Sequence, residues 1–258
     1  MTTTVETRLG RLRRFNIIMG FFHLVQGILM LVLSSDFALP VTSAFQVFDE
    51  GSNRLVSDFK TAFDLPIGPV VAAFLLLSAI AHFAIAAPGI NRWYGSNLLK
   101  GANYARWIEY SLSSSLMIVV VSMLVGIYDI VALLAIFAVN AMMILFGWMM
   151  ELHNQTTERT DWTSYWFGTI AGIIPWIGIA IYLIGAGQGE QGPPAFVYAI
   201  FFSIFLFFNV FAINMVLQYR KVGKWSDYLY GERAYILLSL FAKTALAWQV
   251  FAGTLRPV

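Results

Sequence analysis

The sequence has no cysteine, which removes disulfides, thiolate catalysis and cysteine-ligated metals from consideration. Charge is scarce as well. Asp, Glu, Lys and Arg make up only 12% of the 258 residues and 59% are hydrophobic, a balance too apolar for a soluble domain with a wetted surface of this size. There is no Walker loop, GxGxxG or HExxH pattern, no internal repeat and no low-complexity tract, so phosphate-cradling loops and single-helix metal sites are not indicated. What remains is a chain whose solvent is a membrane. A hydrocarbon core of roughly 30 Å takes about 20 apolar residues to cross, so this length accommodates seven helices with short connections in a single domain.

Apolar runs suited to spanning lie at 15–34, 67–87, 98–126, 130–150, 164–185, 195–218 and 233–253. They predict an all-α membrane protein, a seven-transmembrane helix bundle. The first run follows an Arg-rich start, as a signal peptide would, but it is long for an h-region and carries His23 and Gln26, so cleavage is not expected. Net charge of +2 says little; the placement of the basic residues says more. The N-terminus and the second, fourth and sixth connectors, with their helix ends, hold eleven Lys and Arg, from Arg8 to Arg233; the opposite side holds Arg54, Lys60 and Arg256. Cytoplasmic segments retain positive charge, so the N-terminus is expected inside the cell membrane and the C-terminus, Leu-Arg-Pro-Val, outside. The first outer connector, about 29 residues from Asp36 to Asp64, is too long for a simple turn. Its alternation at Ser43-Ala-Phe-Gln-Val-Phe-Asp suits a short β-hairpin, and an irregular solvent loop is equally compatible.

Lys243 sits roughly 11 residues from either end of the last span, where a lysine costs about 2.5 to 3.5 kcal/mol. One explanation is a structural pair with a buried acid. The other uses chemistry particular to lysine, whose amine condenses with an aldehyde to form a Schiff base. A protonated Schiff base in a low dielectric needs a nearby anion. Glu109 is the one acid well inside a predicted span and is the expected counterion; counted from Leu98 it lies at about the depth of Lys243 counted from Glu232. Ser113 stands one turn from Glu109 and Ser239 one turn from Lys243, each able to hydrogen-bond the charged group or simply to pack as a small residue. His23 and His82 lie at membrane depth, and Ser78, one turn before His82, makes that face of the second span polar, so it should point into the bundle. Either histidine can take up a proton near neutral pH or be a satisfied core residue. Asn140 is a further intramembrane polar group.

These residues resemble the microbial rhodopsins. Arg106-Trp-Ile-Glu-Tyr-Ser-Leu-Ser looks like that family's third-helix pattern of arginine, aromatic, counterion acid, aromatic and a hydroxyl one turn on, with Trp107 and Tyr110 as the aromatics, and Lys243 looks like its retinal lysine. The departures point to the heliorhodopsins: an inside N-terminus, Ser239 where a second acid is usual, Val120 where pumps carry a carboxyl donor, and Phe205-Leu-Phe-Phe-Asn in a sixth span that lacks the usual Trp and Pro. A single glutamate counterion with serines around it and histidines on the first two helices is similar to what Glu109, Ser78, Ser113, Ser239, His23 and His82 present.

The resemblance implies all-trans-retinal on Lys243, all-trans to 13-cis photoisomerisation, a long outer first connector and a homodimer. It implies a light sensor that signals, with Arg106 tuning the counterion, and not an enzyme. Light-driven ion transport is the runner-up, disfavoured by the apolar outer half around Val119 to Val121. A non-retinal protein with a buried Lys243–Glu109 pair is the remaining alternative; His23, His82 and Glu109 as metal ligands would lack any single-helix spacing. Expected partners are membrane lipid and an unidentified cytoplasmic signalling protein, the basic stretch from Arg220 to Arg233 being explained by topology alone, and no nucleic acid.

Overall fold

The computed structural model describes residues 2–189 and 192–256. Its helices are α1 (Thr2–Leu33), α2 (Ile67–Ala86), α3 (Ile90–Leu98), α4 (Tyr104–Leu124), α5 (Ile130–His153), α6 (Thr163–Ala186), α7 (Ala195–Tyr219) and α8 (Tyr228–Val250), which ends in a π turn over Phe251–Leu255. Among the described residues seven of these, all but α3, are long and apolar enough to cross a membrane. Outward positions such as Ile170, Ile173, Ile177 and Ile181 are exposed, whereas His23, Ser78, Asn140 and Lys243 are buried. A bundle in hydrocarbon must turn its polar groups inward, and this one does. Pro257 and Val258 of the expected outer terminus lie outside the described residues.

Three predicted boundaries need correction. The third span does not start at Leu98: α3 ends there, Gly101 turns the chain at φ 76°, and Asn103 caps α4 by accepting the Arg106 N–H at 3.0 Å. The connector left between the second and third predicted spans is therefore mostly helical, α3 taking up residues 90–98. The last helix starts at Tyr228, capped by Asp227, and not at Arg233. The first connector is a hairpin far longer than the short one considered: β1 (Ala38–Asp49) pairs antiparallel with β2 (Arg54–Pro66), with a bulge between Val41 and Thr42. Asp49 closes its turn by accepting the N–H and hydroxyl of Ser52, and Thr42 ties the hairpin to the α4–α5 connection through the Tyr128 carbonyl.

Successive long helices pack side by side, and α1 also meets α8, so that the bundle closes around an interior. The seam between α6 and α7 is looser and is bridged by rings: Trp176 of α6 meets Phe201, Phe205 and Phe208 of α7 edge-on. At the end of the bundle that carries the hairpin, the core is apolar, including Val119, Val120 and Val121. The polar interior lies toward the other end, which carries the N-terminus.

Candidate functional site

Lys243 comes from the middle of α8 and Glu109 from the second turn of α4, and the fold brings them together. Lys243 Nζ donates to Glu109 Oε1 at 2.7 Å, to Ser78 Oγ at 2.5 Å and to Ser239 Oγ at 3.0 Å, and Ser78 in turn donates to Glu109 at 2.6 Å. Lys243 is 3% exposed. Burying two charges is tolerable only when each is paired and hydrogen-bonded, and here both are. The pairing does not arise from equal depth along the two helices. Glu109 lies five residues after the start of α4 and Lys243 fifteen after the start of α8; α8 simply begins further out, so the offset of the two helices compensates.

Ser113 is fully buried within reach of Glu109, though its hydroxyl has no close hydrogen-bond partner among the described residues. It faces a cavity of about 50 Å³ whose wall holds Lys243, Ser239, Tyr110, Met117 and Phe208. A second cavity of about 250 Å³, between α5, α6 and α7, shares Tyr110, Met143, Ile144, Phe208 and Phe211 with the first and adds Trp107, Trp176 and Phe205. Trp176 thus supplies, from α6, an indole that α7 lacks. Gly147 is required here: a Cβ on it would stand 2.5 Å from the indole of Trp107. The walls suit a long conjugated apolar group attached to Lys243, as retinal would be, because they are aromatic and aliphatic along their length and polar at the lysine end.

Ser78 and Glu109, the partners of Lys243, also border a cavity of about 40 Å³ that is lined by His82, Asn16, Tyr94, Arg106 and Glu232 as well. His82 Nδ1 meets Asn16 Oδ1 at 2.8 Å, and the Asn16 amide is oriented by donating to the Leu12 carbonyl. His82 therefore carries its proton on Nδ1 and keeps Nε2 as its basic atom. His23 stacks on His82 with ring centroids 5.6 Å apart, fully buried and with neither ring nitrogen partnered. Asn140 is elsewhere, donating to Ser114 and Ser115 at 2.9 and 3.0 Å. Tyr110 walls the apolar cavity and donates its hydroxyl to the Tyr235 carbonyl at 2.9 Å.

Arg106 departs from expectation most. Its guanidinium does not contact Glu109 but pairs with Glu232 and, at 2.5 Å, with Glu151, sandwiched between the rings of Trp107 and Tyr235. Glu109 is thus not the only buried acid: Glu151 and Glu232 are 2% and 0% exposed. Sequence reasoning left both at span ends. The signal available was Arg106 itself, since a buried arginine demands anions just as Lys243 does.

Comparison with curated proteins yields no match. Among solved structures the chain is similar to the crystal structure of a light-driven proton pump, LR (Mac), from Leptosphaeria maculans, with TM-score 0.64 and 15% identity over 93% of this chain and 95% of that one, which establishes the fold. The Heliorhodopsin family model matches residues 12–255, a range that takes in the hairpin, all of α2 to α8 and both members of the Lys243–Glu109 pair, and the chain belongs to the heliorhodopsin family.

Proposed function

We propose that this is a light sensor in which Lys243 carries all-trans-retinal as a protonated Schiff base and Glu109 is the counterion. The observation that carries the reading is the buried Lys243 Nζ, 2.7 Å from Glu109 Oε1 at the polar end of an aromatic cavity. Bound retinal supplies absorption of visible light and photoisomerisation from all-trans to 13-cis. The residues of the chain do the rest. The ammonium of Lys243 has three hydrogens and three partners; a protonated Schiff base keeps one N–H, and the carboxylate of Glu109, the charged acceptor, holds it. Ser78 fixes that carboxylate by donating to it. When the N–H swings away from Glu109, the opposite charge that favours the protonated form is lost, and the proton passes toward the cavity where His82 Nε2 is the free base.

The long-lived deprotonated state is the signal, read by an unidentified protein on the N-terminal face, which we place in the cytoplasm of a cell membrane on the charge asymmetry. Signalling is favoured over pumping because α4 carries no acid beyond Glu109 and α8 none beyond Glu232, leaving the hairpin half without a chain of titratable groups. Assembly as a homodimer belongs to the same proposal; Phe48, Leu55 and Phe59, exposed on one face of the hairpin, offer a surface for a second copy.

The test is an absorption spectrum of protein expressed with all-trans-retinal, beside the Lys243→Ala variant, followed by a flash. A visible band that needs Lys243 supports the reading, and folded protein with no band refutes it. A light-dependent pH change in intact cells would move the assignment to transport.

A further inference from the structure

Arg106, Glu151 and Glu232 form a cluster whose charges do not balance. Among the described residues the two carboxylates share one cation, and Lys243 is taken by Glu109. Fully ionised, the cluster would bury a net negative charge at 2% and 0% exposure, which a low-dielectric interior disfavours. The hydrogen bonds say where a compensating proton sits. Glu151 accepts four donors: Arg106 at 2.5 Å, the Tyr228 hydroxyl at 2.9 Å, the Asn103 backbone N–H at 2.9 Å and the Trp107 indole at 2.6 Å. These fill the roughly four lone-pair sites of a carboxylate and leave no room for a hydrogen of its own. Glu232 accepts only from Arg106 and from the Asn103 side chain at 2.6 Å.

Glu232 also borders the 40 Å³ cavity, as do Arg106, whose Nε has no close protein partner, and Tyr94, whose hydroxyl lies beside Asn16 and Asn103. A space of that size, with several polar side chains on its wall, has room for water. On the far side of the cluster, Glu151 and Tyr228 border a polar cleft of about 320 Å³ that also includes Lys100, Thr157 and Trp225. The groups facing Glu232 are Arg106 and Tyr110 from α4, Asn103 from the turn before it, Glu151 from α5, Tyr94 from α3, Tyr219 from α7, and Tyr228 and Tyr235 from its own helix.

We propose that Glu232 is a neutral carboxylic acid in the resting protein, a proton-storage site between the Schiff base cavity and the cleft on the N-terminal face, which exchanges its proton with water. The charge count makes Arg106 and Glu151 the fixed ion pair and Glu232 the group that gains or loses the proton. None of this depends on retinal, so it can be tested in protein with and without the chromophore.

The experiment is infrared spectroscopy of the unilluminated protein in H₂O and D₂O, reading the C=O stretch of protonated carboxylic acids. We expect such a band in the wild type, downshifted in D₂O while the protein stays folded. Glu232→Gln should lose it. Glu151→Gln should lose it as well, because Glu232 would then be the sole anion for Arg106 and would ionise. The aspartate variants keep the charge count and locate the proton: Glu232→Asp should move the band and Glu151→Asp should leave it in place. Glu232→Asp carries the test if the glutamine variants do not fold. A wild type with no such band, a band that survives Glu232→Gln, or one that moves only in Glu151→Asp overturns the assignment of the proton to Glu232. A band that never responds to D₂O overturns the storage role. Failure to form a visible chromophore would instead refute the photoreceptor reading and leave this one standing.

Discussion

The chain buries two ion-paired sites, and they are built differently. At Lys243 the acid Glu109 accepts from Lys243 and from Ser78; the lysine opens onto an apolar cavity, and its partners Ser78 and Glu109 border a polar one. At Arg106 the guanidinium is clamped by the carboxyl groups of Glu151 and Glu232 and by two rings, and the carboxylate of Glu151 is saturated with donors. The first arrangement leaves a nitrogen with room for an attached group and few bonds to break when it moves. The second holds α4, α5 and α8 together at one end of the bundle. The attachment point and the anchor are thus assigned to separate cations, and the arginine that precedes the counterion by three residues serves the anchor.

The largest test of that division is Lys243→Ala, which should abolish any visible absorption of protein grown with retinal while Arg106 and its carboxylates continue to hold the fold; a variant that kept the band would place the attachment elsewhere. Next is Arg106→Gln. Removing the cation of a buried pair costs about 3–5 kcal/mol, so unfolding in detergent should occur at clearly lower temperature with the absorption maximum moved much less than the stability; an unchanged Tm would contradict the anchoring role. Glu109→Gln should do the reverse, shifting the absorption maximum and letting the Schiff base lose its proton at lower pH, and an unchanged spectrum would remove Glu109 as counterion. Gly147→Ala should force the Trp107 indole aside, at a cost of about 1–3 kcal/mol for overpacking, and is read by indole fluorescence and by retinal uptake. The smallest effect is expected of Ser78→Ala, which removes one hydroxyl bond to Glu109, worth about 0.5–1.5 kcal/mol, and should shift the spectrum in the same direction as Glu109→Gln but less.

Much of this was legible in the residues. Long apolar runs mark spans because every backbone group in hydrocarbon must be satisfied within its helix, and a lysine at mid-span with one acid on another span called for the pair that is present. The break at Gly101 and Asn103 escaped because the run from Leu98 onward is interrupted by only a few small and polar residues. Glu151 and Glu232 escaped because a glutamate at a span end reads as a solvated terminus unless something buried needs it. Arg106 needed both.

By itself, then, the sequence determined the number of spans, the polar identity of the interior and the two charges that must meet, since hydrophobic length and the cost of an unpaired intramembrane charge are properties of segments. The axial offset between α4 and α8, the choice of Glu232 and Glu151 for Arg106, the apolar cavity at Lys243 and the polar one beside Ser78 and Glu109 were decided by the tertiary structure. Those depend on how far each helix slides and turns against its neighbours, and that is set by side-chain packing across the whole bundle and not by any one segment.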